Sequence, residues 1–311
     1  MRAVVVAPQP RAAEAGAEVL RAGGNAFDAA VAAGFMQMAA DPLMCGIGGM
    51  GVAHVYRAAT GETMVLDFLH RAGSRYVPDL WEGRVREAAN GKRYVEGFPE
   101  QMGYQKIMQP GTVAGFGALH ERWGSKPWAE LLQPAIATLR DGYPIDEYIT
   151  DFLDERHQYG SSPANPPLLD FLRASEGMAQ LWLDSDGQPV RVGDTWVNPD
   201  YARTLERLAA DGADSFYRGA LAREIAADLT ANDALVTADD LASYRVRERR
   251  SLVGSYRDLA VACAPLPSGG TTVLEILALL ECFDIAALEH GSVDHLHVLI
   301  SAMQLAFGDR S

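Results

Sequence analysis

The chain has 311 residues, 48% of them hydrophobic, enough to bury a sizeable core in one large domain or two smaller ones. Its formal net charge of −14 argues against nucleic acid or an anionic membrane as partner, and no apolar run is long enough to span a bilayer. Cys45, Cys263 and Cys282 stand far apart without metal spacing, and residues 1–8 hold too short an apolar run for a signal peptide, so a reducing compartment, the cytoplasm, is expected, with no metal and no other cofactor.

Residues 12–22 carry a helical pattern that Gly23 and Gly24 stop. Asn25 is placed to cap the next helix, with Asp28 three residues on in the first turn. Phe27, Val31, Phe35 and Met38 then recur at helical spacing among alanines, which predicts a closely packed central helix. Residues 46–51 read Gly-x-Gly-x-x-Gly, the spacing that cradles a dinucleotide pyrophosphate. Such a loop leaves a strand and opens a helix. Here a helix runs in and a strand runs out, so the glycines are read as a tight turn that approaches something closely. A hairpin follows, with strands at 52–56 and 62–68 around a turn at 57–61, and 66–71 leaves at the sheet edge. Residues 74–108 are polar and irregular and predict a surface excursion.

Residues 109–115 form a turn and open a helix that carries Phe116, Leu119 and His120 and ends near Gly124. An amphipathic helix is expected over 128–139, and 157–168 reads as a proline-rich loop. Helices are expected over 199–210 and 216–229, with a short one capped by Thr237 and running through Tyr244. Strands at 252–256 and 259–263, a turn at 265–270, and helices over 271–283 and 293–307 complete the series. The last helical pattern stops just before Ser311 with no closing strand, so another chain is expected to complete the sheet.

Several stretches, in order, resemble the γ-glutamyltranspeptidases. They begin with Ala22-Gly23-Gly24-Asn25-Ala26-Phe27-Asp28 and the turn Gly46-Ile47-Gly48-Gly49. Pro110-Gly111-Thr112-Val113-Ala114-Gly115, Asp214-Ser215-Phe216-Tyr217-Arg218-Gly219 and Asp239-Asp240-Leu241-Ala242-Ser243-Tyr244 follow. Pro267-Ser268-Gly269-Gly270 and Ala306-Phe307-Gly308-Asp309-Arg310-Ser311 close the set, which covers essentially the whole chain. The resemblance implies an α+β fold, the four-layer αββα sandwich of N-terminal-nucleophile hydrolases. Residues 1–311 would be a single domain fragment, the large-subunit half of a precursor that cuts itself in two. The partner would be a small subunit whose new N-terminal Thr attacks an amide carbonyl with its own α-amine as base. No catalytic residue is then expected in this chain, the substrate is a small-molecule amide, and a dimer of heterodimers is allowed.

In transpeptidases the segment after the hairpin reads Leu-Asp-x-Arg-Glu, and the Arg grips the α-carboxylate of the γ-glutamyl group, a task suited to a bidentate guanidinium. Here the same frame reads Leu66-Asp67-Phe68-Leu69-His70, with Leu69 at the position of the Arg, His70 at that of the Glu, and Arg71 next. Phe68, Leu69, His70 and Arg71 are the substrate-binding candidates. An amide hydrolase with a non-γ-glutamyl substrate is expected, of the small-amide or acylase type. Arg71 would favour an acyl group that carries a carboxylate, as in an oxamate-like substrate; a neutral acyl group would rest on Phe68 and Leu69. The alternatives are a true γ-glutamyltransferase or glutathione hydrolase with Arg71 or Arg75 in the gripping role, and an inactive binding or assembly subunit.

Other reactive-looking residues have plainer readings. Cys45 reads as a small buried residue of the glycine turn. Gly270-Thr271 resembles a self-cleavage bond, but cutting there would leave too short a piece to complete the fold, and Thr271 or Thr272 is expected to cap the helix. His295 and His297 lie two apart and face different ways on a helix, and His54, His120 and His157 have no partner at metal spacing.

Overall fold

The computed structural model describes residues 3–87, 91, 93–97, 103–154 and 167–310. In chain order the elements are α1 (Pro10–Arg21), α2 (Ala26–Ala40), β1 (Gly51–Arg57), β2 (Glu62–Phe68), β3 (Val85–Glu87), β4 (Arg93–Val95), α3 (Thr112–Trp123), α4 (Trp128–Asp141), β5 (Tyr143–Pro144), α5 (Glu147–Phe152), α6 (Leu168–Arg173) and α7 (Glu176–Trp182). They continue with β6 (Thr195–Trp196), α8 (Pro199–Asp211), α9 (Ser215–Arg218), α10 (Ala220–Ala231), α11 (Ala238–Ser243), β7 (Arg247–Arg249), β8 (Leu252–Tyr256), β9 (Leu259–Cys263), α12 (Gly270–Glu281) and α13 (Val293–Arg310). The described residues of 1–50 and 69–245 form one compact unit, and those of 51–68 and 246–311 form a second.

The first unit is helical and built around α2. The Asn25 side chain accepts from the amides of Phe27 and Asp28, while Asp28 accepts from the Asn25 amide at 2.8 Å, so the expected cap is a full capping box. Val31, Phe35 and Met38 are buried with the alanines between them. α1 and α4 pack against α2, and α8 packs against α4. Gly34 admits the Phe116 ring, since a Cβ there would stand 2.2 Å from its Cζ. Phe35 meets Trp128 edge-on at 5.4 Å, and the Trp128 indole donates to the Leu208 carbonyl at 2.8 Å, which ties α4 to the end of α8.

The second unit holds the expected hairpin. β1 and β2 pair antiparallel from Gly51 opposite Phe68 to Arg57 opposite Glu62. β7 pairs with the other side of β2, Val65 opposite Arg249, so β2 is the middle strand rather than the sheet edge expected from its sequence. β7 is three residues long and almost all charged, and a strand of that composition leaves no apolar alternation to read. β8 and β9 form a separate hairpin, and α12 packs on both.

Other expectations need correction. The irregular stretch 74–108 contains the β3–β4 hairpin, which an Arg86–Glu96 ion pair of 2.6 Å bridges. The helix expected over 216–229 is two helices, because Gly219 adopts an extended backbone between α9 and α10. α12 starts at Gly270 with Gly269 as its cap and no side-chain cap bond, so neither Thr271 nor Thr272 caps it. Gly270 is needed for close approach: a Cβ would lie 2.1 Å from the Ala264 carbonyl oxygen. Of the loop expected at 157–168, residues 157–166, including His157, lie outside the described residues, as do Met1, Arg2 and Ser311. No helix among the described residues is long and apolar enough to cross a membrane.

Candidate functional site

Phe68 ends β2 and is buried at 5% exposure, with its ring against Gly51, where a Cβ would stand 2.5 Å from it. Leu69, His70 and Arg71 follow in the first unit, where the chain is held by partners distant in sequence. The Tyr244 hydroxyl donates to the Leu69 carbonyl at 2.8 Å, and the His70 Nε2 donates to the Gly48 carbonyl at 3.2 Å. Gln109 takes hold twice: its amide donates to the Arg71 carbonyl and its side-chain nitrogen to the Ala72 carbonyl, both at 2.8 Å. Gly73 then passes so near Leu235 that a Cβ would lie 2.0 Å from its carbonyl oxygen. Ser74 gives both its amide and its hydroxyl to Asp240, at 2.9 and 3.0 Å.

The Arg71 side chain is half-buried. Its guanidinium lies over the Tyr244 ring, 4.8 Å from the centroid, and Nη2 donates to the Arg245 carbonyl at 2.5 Å. Arg218 and Arg245 also donate to the carbonyl of Ala242, at 2.7 and 2.8 Å, so three guanidinium groups gather at the C-terminal end of α11. Cations are favoured there because the last carbonyls of a helix lack intrahelical partners. Of the three, Arg218 is also ion-paired with Asp214. Arg75, the other candidate for the gripping role, donates Nη1 to the Ala234 carbonyl at 3.3 Å.

The glycine turn is wired to the same place. The amides of Gly111 and Thr112 donate to the Gly49 carbonyl, at 2.8 and 3.1 Å. Of the turn's glycines, Gly49 is the crowded one, since a Cβ would sit 2.8 Å from the Gly46 carbonyl oxygen. The helix-in, strand-out order holds, which removes the dinucleotide reading. Behind Tyr244 stacks Tyr217, with ring centroids 5.5 Å apart and planes at 17°. The Tyr217 hydroxyl donates to the Pro110 carbonyl at 3.0 Å and accepts from the Ala114 amide at 3.1 Å. Burial pushes that phenol up, so it stays neutral. The turn, the start of α3, α9, the end of α11 and the segment 69–74 thus form one closed set of contacts within the first unit.

Charge states follow from the surroundings. Burial alone would raise the Asp240 carboxyl, but hydrogen bonds from Ser74 and Thr237 outweigh it and hold the group below the usual carboxylate range. The Cys45 thiol is pushed up to about 11 by burial and by the nearby Asp41 carboxylate. At neutral pH it is a thiol and no nucleophile, but it is half-buried rather than the buried residue expected from the sequence. The remaining candidates have local partners: His54 hydrogen-bonds with Ser251 at 2.9 Å, His120 donates to the Lys126 carbonyl at 2.7 Å, and His295 accepts from the Gly291 amide at 3.4 Å. Among the described residues, no group of three His, Cys, Asp or Glu side chains converges as a metal site.

Sequence reasoning missed Tyr244, Tyr217, Gln109 and Asp240 as residues that position the segment 69–74. The signal was their position, because all but Gln109 lie inside stretches that carry the family resemblance and Gln109 directly precedes one.

The fold is the α+β fold of the N-terminal-nucleophile hydrolases: the crystal structure of Helicobacter pylori gamma-glutamyltranspeptidase matches it with a TM-score of 0.87 at 32% identity, over 99% of this chain and 83% of that one. The gamma-glutamyltranspeptidase family model matches residues 12–311, and the chain belongs to that family. It is 34% identical over 317 residues to the acylase ACY 1 proenzyme of Pseudomonas sp. strain V22, covering 100% of this chain and 53% of that protein. It is 32% identical over 309 residues to the glutathione hydrolase proenzyme of Escherichia coli K12, covering 99% and 50%. The chain spans about half the length of the curated relatives it matches.

Proposed function

We propose that this chain is the large-subunit portion of a self-processing amide hydrolase whose acyl group is not γ-glutamyl and carries a carboxylate. The observation that carries this reading is the exchange at 69–71. An alkyl side chain stands where the transpeptidase motif has its gripping Arg, and two positions on a guanidinium lies over the Tyr244 ring beside the Arg245 side chain. A carboxylate displaced along the acyl chain would meet Arg71 instead. The nucleophile in this reading is the N-terminal Thr of a small subunit, its hydroxyl activated by its own α-amine. Membership in a family whose relatives are named proenzymes supports the two-subunit form, as does the apolar surface of α13, where Leu305 and Phe307 are 60% and 52% exposed. The proposed compartment is the cytoplasm, supported by three cysteines that pair with nothing.

The test is Arg71→Ala in the assembled two-subunit enzyme, assayed on adipyl p-nitroanilide, whose carboxylate lies one methylene further along the chain than that of a γ-glutamyl group. A fall in kcat/KM of at least about tenfold, near 1.4 kcal/mol, is expected. The unaltered enzyme should turn over a γ-glutamyl anilide slowly, by roughly 30-fold to several thousand-fold, the cost of leaving a buried carboxylate without its charged partner. Unchanged kinetics in Arg71→Ala with lowered thermal stability would make Arg71 structural and end this reading. Glutathione hydrolysis is the second reading, favoured by the 32% identity to the E. coli enzyme. A γ-glutamyl rate typical of a transpeptidase would establish it.

A further inference from the structure

We propose that Tyr244 is the positioning residue of the acyl-group subsite. It acts through both of its ends: the ring lies under the Arg71 guanidinium, and the hydroxyl fixes the Leu69 carbonyl. The inference rests on the carboxylate reading above and names the residue that sets its geometry.

Arg71 has five N–H donors. One is spent on the Arg245 carbonyl, and among the described residues the others have no hydrogen-bond partner. A free arginine side chain samples many rotamers and loses that freedom when it binds an anion. Placed over a ring and tied at one nitrogen, this guanidinium has already lost much of it. Its remaining donors are therefore held ready for two parallel hydrogen bonds to a carboxylate.

Tyr244 can impose this because it is itself immobile. It is 3% exposed, its hydroxyl is engaged, and its other face rests on the Tyr217 ring, which two hydrogen bonds anchor to the start of α3. Tyrosine supplies both a flat face for Arg71 and a donor at the far end for Leu69. The Gln109 amide bonded to the Arg71 carbonyl sets the backbone from the opposite side. Tyr244 thus orients Arg71 without itself touching substrate.

The experiment uses the assembled enzyme with adipyl and hexanoyl p-nitroanilides, which share a leaving group and differ in the terminal carboxylate. Tyr244→Leu should raise KM for the adipyl substrate by about 2- to 30-fold, the range of a guanidinium–ring contact between exposed and desolvated sites. The hexanoyl KM should change by a smaller factor, so that the preference for the carboxylate falls. Tyr244→Phe keeps the ring and should keep most of the preference. Phenylglyoxal labelling of Arg71, read by peptide mass spectrometry, supplies a readout that needs no activity: labelling should quicken in Tyr244→Leu and not in Tyr244→Phe. Should Tyr244→Leu fail to assemble, Arg71→Lys on the intact Tyr244 keeps the charge but not the planar stack, and should lose the same preference.

Equal losses on both substrates, unchanged labelling, or full preference in Arg71→Lys would overturn the proposal. If Arg71→Ala abolishes the adipyl preference while Tyr244→Leu retains it, the positioning role falls and the carboxylate reading stands. If Arg71→Ala leaves the preference intact, both fall.

Discussion

The two units use their apolar helix faces in opposite ways. In the unit of residues 1–50 and 69–245, α2, α4 and α8 bury Phe35, Leu132, Leu139, Leu205 and Leu208 completely or almost so. In the unit of residues 51–68 and 246–311, the described residues of α13 bury Ala302 and Ala306, while Ile300, Leu305 and Phe307 stay at least half exposed. Pattern alone does not separate them, since α12 and α2 have comparable apolar content. What separates them is whether this chain supplies a second apolar surface to cover each helix. A helix that is apolar on several faces belongs in an interior, and a contiguous exposed apolar face on a folded unit marks a docking surface. In the proposed assembly the small subunit supplies that interior.

The largest effect should come from emptying the closed core. Phe35→Ala removes a fully buried ring that touches both Phe116 and Trp128 and should cost about 3–5 kcal/mol of unfolding free energy in urea. A cost under about 1 kcal/mol would mean that the first unit is as loosely covered as the second. Next is the open face. Leu305→Asp with Phe307→Asp should weaken subunit association by about 2–4 kcal/mol, as hot-spot side chains do, with little change in the first unit's own unfolding. Undiminished co-purification of the two subunits would show that the face is not their contact.

The smallest effect sharpens the contrast through pH. Asp28 is fully buried and accepts from the Asn25, Ser125 and Lys126 amides and from the Ser125 hydroxyl, the last at 2.6 Å. Burial alone would raise its pKa, but these bonds outweigh burial and lower it. A carboxyl depressed in the folded state contributes stability that is fully present above its unfolded value of about 3.9 and fades as pH falls through the folded value. Asp28→Asn should therefore cost about 1.5–3 kcal/mol at neutral pH, with the difference narrowing in acid. A gap that is constant between pH 7 and pH 2 would assign the loss to packing instead of charge. In the second unit, the Asp67 carboxylate is buried and pairs with the half-buried Arg249 at 3.3 Å.

Much of the candidate site was legible because it is local. The Asn25–Asp28 and Thr237–Asp240 capping boxes each span four residues, and the hairpin of β1 and β2 closes through a four-residue turn, 58–61. The exchange of Arg for Leu at position 69 was visible as a departure from a motif. The glycines of 46–51 were rightly read as a turn because the elements on either side were in the wrong order for a dinucleotide loop.

What the sequence by itself determined was the set of elements, their caps and the identity of the segment 68–71. These rest on interactions within a few residues of chain, which periodicity and capping chemistry report directly. Tertiary structure decided the middle position of β2, through a charged β7 that lies more than 180 residues away in sequence. It also decided the hold on the segment itself, because Tyr244 reaches Leu69 and Arg71 across more than 170 residues. Neither contact leaves a mark on local pattern: a tyrosine after a short helix looks the same whether its ring faces water or a guanidinium, and only the path of the whole chain brings the two together.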